Sequence, residues 1–136
     1  MNEKTKIFFR FWMPVFLWMT FIFFLSSFQG SEILDLPIPF FHKVVHFFEY
    51  SILGILWLRL LGYRRDKRGV FGASVFALIL TSGFAMTDEW HQTFVPGRSG
   101  SIEDVGWDMI CAFMGIFLYA LDRFFCIFQK ANDMTT

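Results

Sequence analysis

The residues best able to do chemistry fall in two short stretches. TDEWHQTFVPGRSGSIEDVGWD, residues 87–108, holds Asp88, Glu89, His91, Gln92, Arg98, Glu103, Asp104 and Asp108 between two apolar runs. HKVVHFFEYSILG, residues 42–54, holds His42, Lys43, His46, Glu49 and Tyr50. Histidine and carboxylate side chains exchange protons or ligate divalent metals. Arginine clamps a phosphate or carboxylate in bidentate fashion. No signature chooses among these chemistries. The chain has no His-Glu-x-x-His, no glycine-rich phosphate loop and no Gly-x-Ser-x-Gly. His42 and His46 have the i, i+4 spacing of helical metal ligands, but that pair alone is weak, so neither a metal site nor a cofactor is assigned.

Spacing sorts these residues further. His46, Tyr50 and Gly54 recur every four residues and share a helix face, with Glu49 beside His46 at i+3. Asp88 and Glu89 close an apolar run, where a helix carboxyl end disfavours negative charge. Ser101 followed by Asp104 resembles a capping box, with Asp in place of Glu or Gln. Asp108 lies at i+4 from Asp104, a turn beyond the reach of a cap. Two carboxylates on one face entering a bilayer need a partner, and Arg98 is the expected one.

The elements that must position these groups are membrane helices. Hydrophobic residues make up 55% of the 136, charged residues only 18%, and 21 residues are Phe. Apolar runs cover about 7–28, interrupted by Arg10 near its start, 44–61, 70–86 and 105–128, each near the length that spans a hydrocarbon core. The first is longer than the apolar part of a signal peptide, and LSSFQGS offers no small-x-small cleavage site. VFGASVFALILTSGFAM has no polar face, which excludes a soluble bundle. Alternation of apolar and polar residues is missing, which excludes a β-barrel. The expectation is an all-α membrane protein: one domain over residues 1–136, a four-helix transmembrane bundle. Pro14 should kink the first helix without ending it. Cys111 and Cys126 fall on one helix about 22 Å apart, too far to bond. The formal net charge of zero points away from nucleic acid.

Positive charge sets the orientation. Lys4, Lys6, Arg10, Arg59, Arg64, Arg65, Lys67, Arg68, Arg123 and Lys130 fall on one side, against Lys43 and Arg98 on the other. The richer side should be cytoplasmic, with both termini inside. The histidines and most of the acids then lie at or near the outer face, including Glu32 and Asp35 in the link that also carries Pro37 and Pro39.

Both stretches resemble blocks of the VanZ-like family of small bacterial membrane proteins. LSS at 25–27 closes the first span as it often does there. KVVHFFEYSILG is similar to the family's Lys-x-x-His-Phe-x-x-Tyr-x-x-x-Gly segment through Lys43, His46, Phe47, Tyr50 and Gly54. The second block is matched by Asp88, Glu89, Gln92, Pro96, Gly97, Arg98 and Asp104, with Asp108 where the family has Asn or Asp. Cys111 stands where Gly is common. The resemblance runs from Phe24 to Gly115. It implies a multi-span protein of the bacterial cytoplasmic (inner) membrane and cell envelope, with a role in low-level resistance to glycopeptide antibiotics such as teicoplanin.

Two functions follow as expectations. In the first, His46, Glu49, Asp88, Glu89, Arg98 and Asp104 are candidate catalytic groups, with Lys43, Tyr50, Gln92 and Asp108 as binding groups. The site would bind or modify a cell-wall precursor or lipid head group, with His46 or Glu89 as acid/base and Arg98 as anion clamp. In the second, the same residues form a non-catalytic network that holds the helices together, and the protein acts by binding a partner. Whether there is turnover is open on the sequence.

Overall fold

A computed structural model describes residues 2–28, 41–63, 66–98 and 100–133. Among them there are helices and no strand. The first helix, α1, comprises Glu3–Ile7, a π-helical turn at Phe8–Trp12, and Met13–Ser26. It is followed by α2 at Phe41–Leu61, α3 at Lys67–Gln92 and α4 at Ile102–Asp133. All four are long and apolar enough to cross a bilayer. The link with Pro37 and Pro39, and Arg64 and Arg65, lie outside the described residues.

The helices do not stop where the apolar runs stop. α3 continues past Met86 to Gln92, so Asp88 and Glu89 are helical rather than part of a loop. α2 begins at Phe41 rather than 44, and α4 at Ile102 rather than 105, running on to Asp133. α1 starts at Glu3 and ends at Ser26, ahead of the expected 28. Hydropathy marks the part of a helix that suits lipid. The helix itself persists as long as its backbone ladder and polar ends are satisfied.

Pro14 has no N–H, and its ring crowds the carbonyl of Arg10. α1 absorbs this by widening, with Met13 N–H bonded to Phe8 O five residues back.

α2, α3 and α4 pack against one another, and α1 lies against α2 and α3. The core joins Val15 and Ile22 of α1, Tyr50 and Leu53 of α2, Ala85 of α3, and Cys111 and Ala112 of α4. α2 and α4 approach most closely at two glycines. A Cβ on Gly115 would lie 2.5 Å from the Ser51 carbonyl oxygen, and one on Gly54 3.1 Å from that of Ala112. Small residues of this kind let helices meet where lipid supplies no hydrophobic drive. Ser51 Oγ donates to Cys111 O at 2.9 Å across the same seam. Cys111 and Cys126 are both free thiols.

The polarity of the bundle is the reverse of a soluble one. Phe71, Phe76, Leu118 and Phe125 face outward, while Asp88 and Asp108 are 2% and 0% exposed. At one end, Arg10, Arg59 and Arg123 from three helices line a cavity of about 180 Å³ with Phe11, Tyr63 and Tyr119. The buried acids gather at the opposite end.

Candidate functional site

The chain reverses direction at each link. The end of α1, the start of α2, the end of α3 and the start of α4 therefore share one end of the bundle. Both polar stretches of the sequence meet there.

His46 of α2 and Asp108 of α4 form the innermost contact. Nδ1 lies 2.9 Å from Oδ1, and both residues are buried. An ionised carboxylate only accepts, so Nδ1 is then the donor; Nε2 is a lone-pair nitrogen in the neutral imidazole and a second N–H donor in the imidazolium. Glu89 of α3 completes the group. It, His46 and Asp108 can each present one ligand atom within 4.8 Å of the others. This corrects one expectation: Asp108 takes His46 as its partner, not Arg98. No sequence spacing exposes such a group, because its members sit on three helices.

Glu89 has a second role. Its Oε2 accepts the backbone N–H of Ser101, which opens α4, at 3.1 Å. The unfavourable carboxyl end of α3 is thus placed against the favourable amino end of α4. The capping box read at Ser101 and Asp104 is replaced accordingly. Ser101 Oγ accepts from Glu103 N at 3.1 Å, and Glu89 rather than Asp104 takes the Ser101 N–H. Asp104 is half-buried, and its side chain makes no hydrogen bond among the described residues.

Asp88 anchors a separate network. It accepts from Ser26 Oγ of α1 at 2.7 Å, Tyr50 Oη of α2 at 3.1 Å and Gln92 Nε2 at 3.1 Å. Gln92 Nε2 also approaches Glu89 Oε1 at 3.3 Å. Arg98 Nη1 donates to Gln92 Oε1, and Arg98 Nε to Phe28 O, both at 3.2 Å. With Nε and Nη1 engaged, Arg98 is a strut between α1 and the α3–α4 turn. Gly97 at φ 78° makes that turn possible, since a Cβ disfavours this conformation.

Glu49 is buried beside His46, and its carbonyl accepts Trp18 Nε1 at 2.9 Å. Lys43 is exposed at the rim, its Nζ 5.7 Å from the Trp107 ring centroid and its carbonyl bonded to Trp107 Nε1 at 3.2 Å. His42 packs on His46 with ring centroids 4.1 Å apart.

Two participants have no signal of their own in the sequence, and a third, Ser101, is signalled there only as a cap paired with Asp104. Ser26 reaches Asp88. Ser27 Oγ meets His91 Nε2 at 3.1 Å, and the His91 ring stacks on Phe23 with centroids 4.2 Å apart. The Ser101 amide serves Glu89. Serines at a helix end and a backbone N–H are too common to single out; only the LSS resemblance touches Ser26 and Ser27.

The fold and this end of the bundle define a four-span membrane protein with a polar interior at one end. The chain belongs to the VanZ/LLP1 family, whose model matches residues 11–125. No curated protein and no solved structure matches it.

Proposed function

We propose that this VanZ/LLP1-family protein is a cell-envelope protein of the bacterial cytoplasmic membrane whose polar end faces outward and binds or modifies the head group of a cell-wall precursor or lipid. His46, Glu89 and Asp108 form the reactive centre of this reading, with Glu49 and Tyr50 beside them and Lys43, Asp104 and Arg98 around them. Through that site the protein contributes to glycopeptide tolerance, as the family resemblance suggests. The observation that carries the reading is the meeting of His46, Glu89 and Asp108 from three helices within 4.8 Å. Ionisable groups inside a bundle are costly, which makes such a meeting a mark of function. The positive-inside orientation is supported by Arg10, Arg59 and Arg123 lying together at the opposite end.

The test is teicoplanin tolerance in cells expressing the protein. Wild type should raise it, and Glu89→Gln should abolish the gain at equal membrane abundance. An undiminished gain in Glu89→Gln sinks the reading.

The second reading, a purely structural network, is favoured for one part of the cluster. Asp88, Gln92 and Arg98 connect Ser26, Tyr50 and Phe28 in the manner of a clasp. Under this reading, substitutions at His46, Glu89 and Asp108 lower thermal stability and abundance together with any loss of tolerance. A normal melt with lost tolerance favours the first.

A further inference from the structure

The buried charges at the polar end do not balance. Glu49, Asp88, Glu89 and Asp108 are all buried, against one permanent cation, the half-buried Arg98, and the imidazoles of the buried His46 and the half-buried His42 and His91. Lys43 is exposed and lies over Trp107. Residues 29–40 contain no Lys, Arg or His, so that stretch cannot supply the missing charge. Carboxylates withdrawn from water are costly unless a proton or a cation compensates them.

The two networks differ in how well their oxygens are served. Both Asp88 oxygens have hydrogen-bond donors. Asp108 is fully buried, and its Oδ2 has no partner among the described residues. That orphaned acceptor belongs to the same group of three in which His46, Glu89 and Asp108 converge. One imidazole and two carboxylates suit a borderline divalent ion. Three protein ligands are the number typical of a zinc site that keeps one position open. Zinc with bonds of about 2.0–2.2 Å holds tetrahedral ligands roughly 3.4 Å apart. The observed spacing must therefore close by side-chain rotation, and a metal shared with Asp108 takes His46 Nδ1 in place of the Nδ1–Oδ1 hydrogen bond, leaving the proton on Nε2. Glu89 is already oriented by Ser101 N–H and Gln92, as ligating carboxylates are by their outer partners.

We propose that His46, Glu89 and Asp108 bind one divalent cation of the zinc class, with an open position for an anionic oxygen of the head group. The cation offsets the excess of buried carboxylates and gives a phosphate something to bind in a site otherwise too negative for it. The open-position clause rests on the proposed function; the metal site itself does not.

The experiment uses the purified full chain in detergent micelles, stripped with a chelator and titrated with Zn²⁺ alone against a chromophoric competitor. Wild type should bind one equivalent. Glu89→Gln and Asp108→Asn should each weaken binding by at least about tenfold. Glu103→Gln, an exposed acid nearby, should leave it unchanged. Circular dichroism and thermal melts establish that each variant is folded. If Asp108→Asn fails to fold, Glu89→Gln and the visible spectrum of the wild-type Co²⁺ adduct decide, a four- or five-coordinate band being expected. Wild-type binding no tighter than that of Glu89→Gln, or a purely six-coordinate Co²⁺ spectrum, overturns the site. Zinc binding without any gain in teicoplanin tolerance keeps the metal and removes the proposed function. Tolerance lost in Glu89→Gln without zinc binding by wild type does the reverse.

Discussion

His46 and Asp108 stand 62 residues apart in the chain and 2.9 Å apart in the fold, both withdrawn from solvent. They join α2 to α4 just beyond the seam where Ser51 and Gly115 bring the two backbones together. The polar pair and the glycine contact therefore depend on the same helix crossing.

Breaking the pair on one side should cost more than replacing it on both. His46→Ala leaves Asp108 buried with neither oxygen served, since Oδ2 already lacks a partner. The expected loss is about 3–5 kcal/mol for either single alanine substitution. A His46→Leu/Asp108→Leu double variant should recover much of it, because two apolar groups leave nothing unpaired. Unfolding titrations in mild detergent measure this, and strictly additive losses would contradict the pairing.

Gly115 and Gly72 make a matched comparison. A methyl group on Gly115 meets the Ser51 backbone, whereas one on Gly72 meets nothing within 4 Å. Gly115→Ala should destabilise by about 1–3 kcal/mol through forced separation of α2 and α4. Gly72→Ala should be neutral or stabilising by up to about 1 kcal/mol, as helical Gly→Ala changes are. Thermal melts of the two variants should move in opposite directions or, at the least, differ clearly in size.

Arg98→Lys keeps the charge and loses the fork that reaches Phe28 O and Gln92 Oε1 together. Hydrogen bonds to charged groups contribute about 1.5–3 kcal/mol, so the loss should fall near that range. It should be local as well. Amide exchange should rise in residues 24–28 at the end of α1, with little change in the α2–α4 seam. Unchanged protection there would remove Arg98 as a strut.

Orientation is tested by labelling single cysteines in a Cys111→Ala, Cys126→Ser background. Glu103→Cys should react with a membrane-impermeant maleimide added to intact cells, and Arg68→Cys only after the membrane is opened. The opposite pattern would put the His46 site on the cytoplasmic side and end its assignment to envelope chemistry.

The chain order explains why much of this was legible in advance. Four apolar runs are a property of composition, and lipid permits them only one backbone arrangement. Alternating direction then places the start of α2 with the end of α3 and the start of α4. That is why HKVVHFFEY and the 87–108 stretch could be read as two halves of one region without coordinates. The stretch 87–108 was harder to read internally. Its acids look like loop residues because hydropathy falls at Met86, yet Asp88 and Glu89 remain helical, served by Ser26, Tyr50, Gln92 and the Ser101 amide.

Composition and order by themselves determined the helices, their number and which polar residues share an end. Only the tertiary structure decided partners: His46 rather than Arg98 for Asp108, Glu89 rather than Asp104 for the Ser101 N–H, and Arg98 as a strut to Phe28. The reason is geometric. Periodicity assigns a residue to a helix face, but partner choice depends on how each helix is rotated and how closely it approaches its neighbour. Those quantities are set by contacts such as Gly115 on Ser51 and Gly54 on Ala112, between residues about sixty positions apart in the chain.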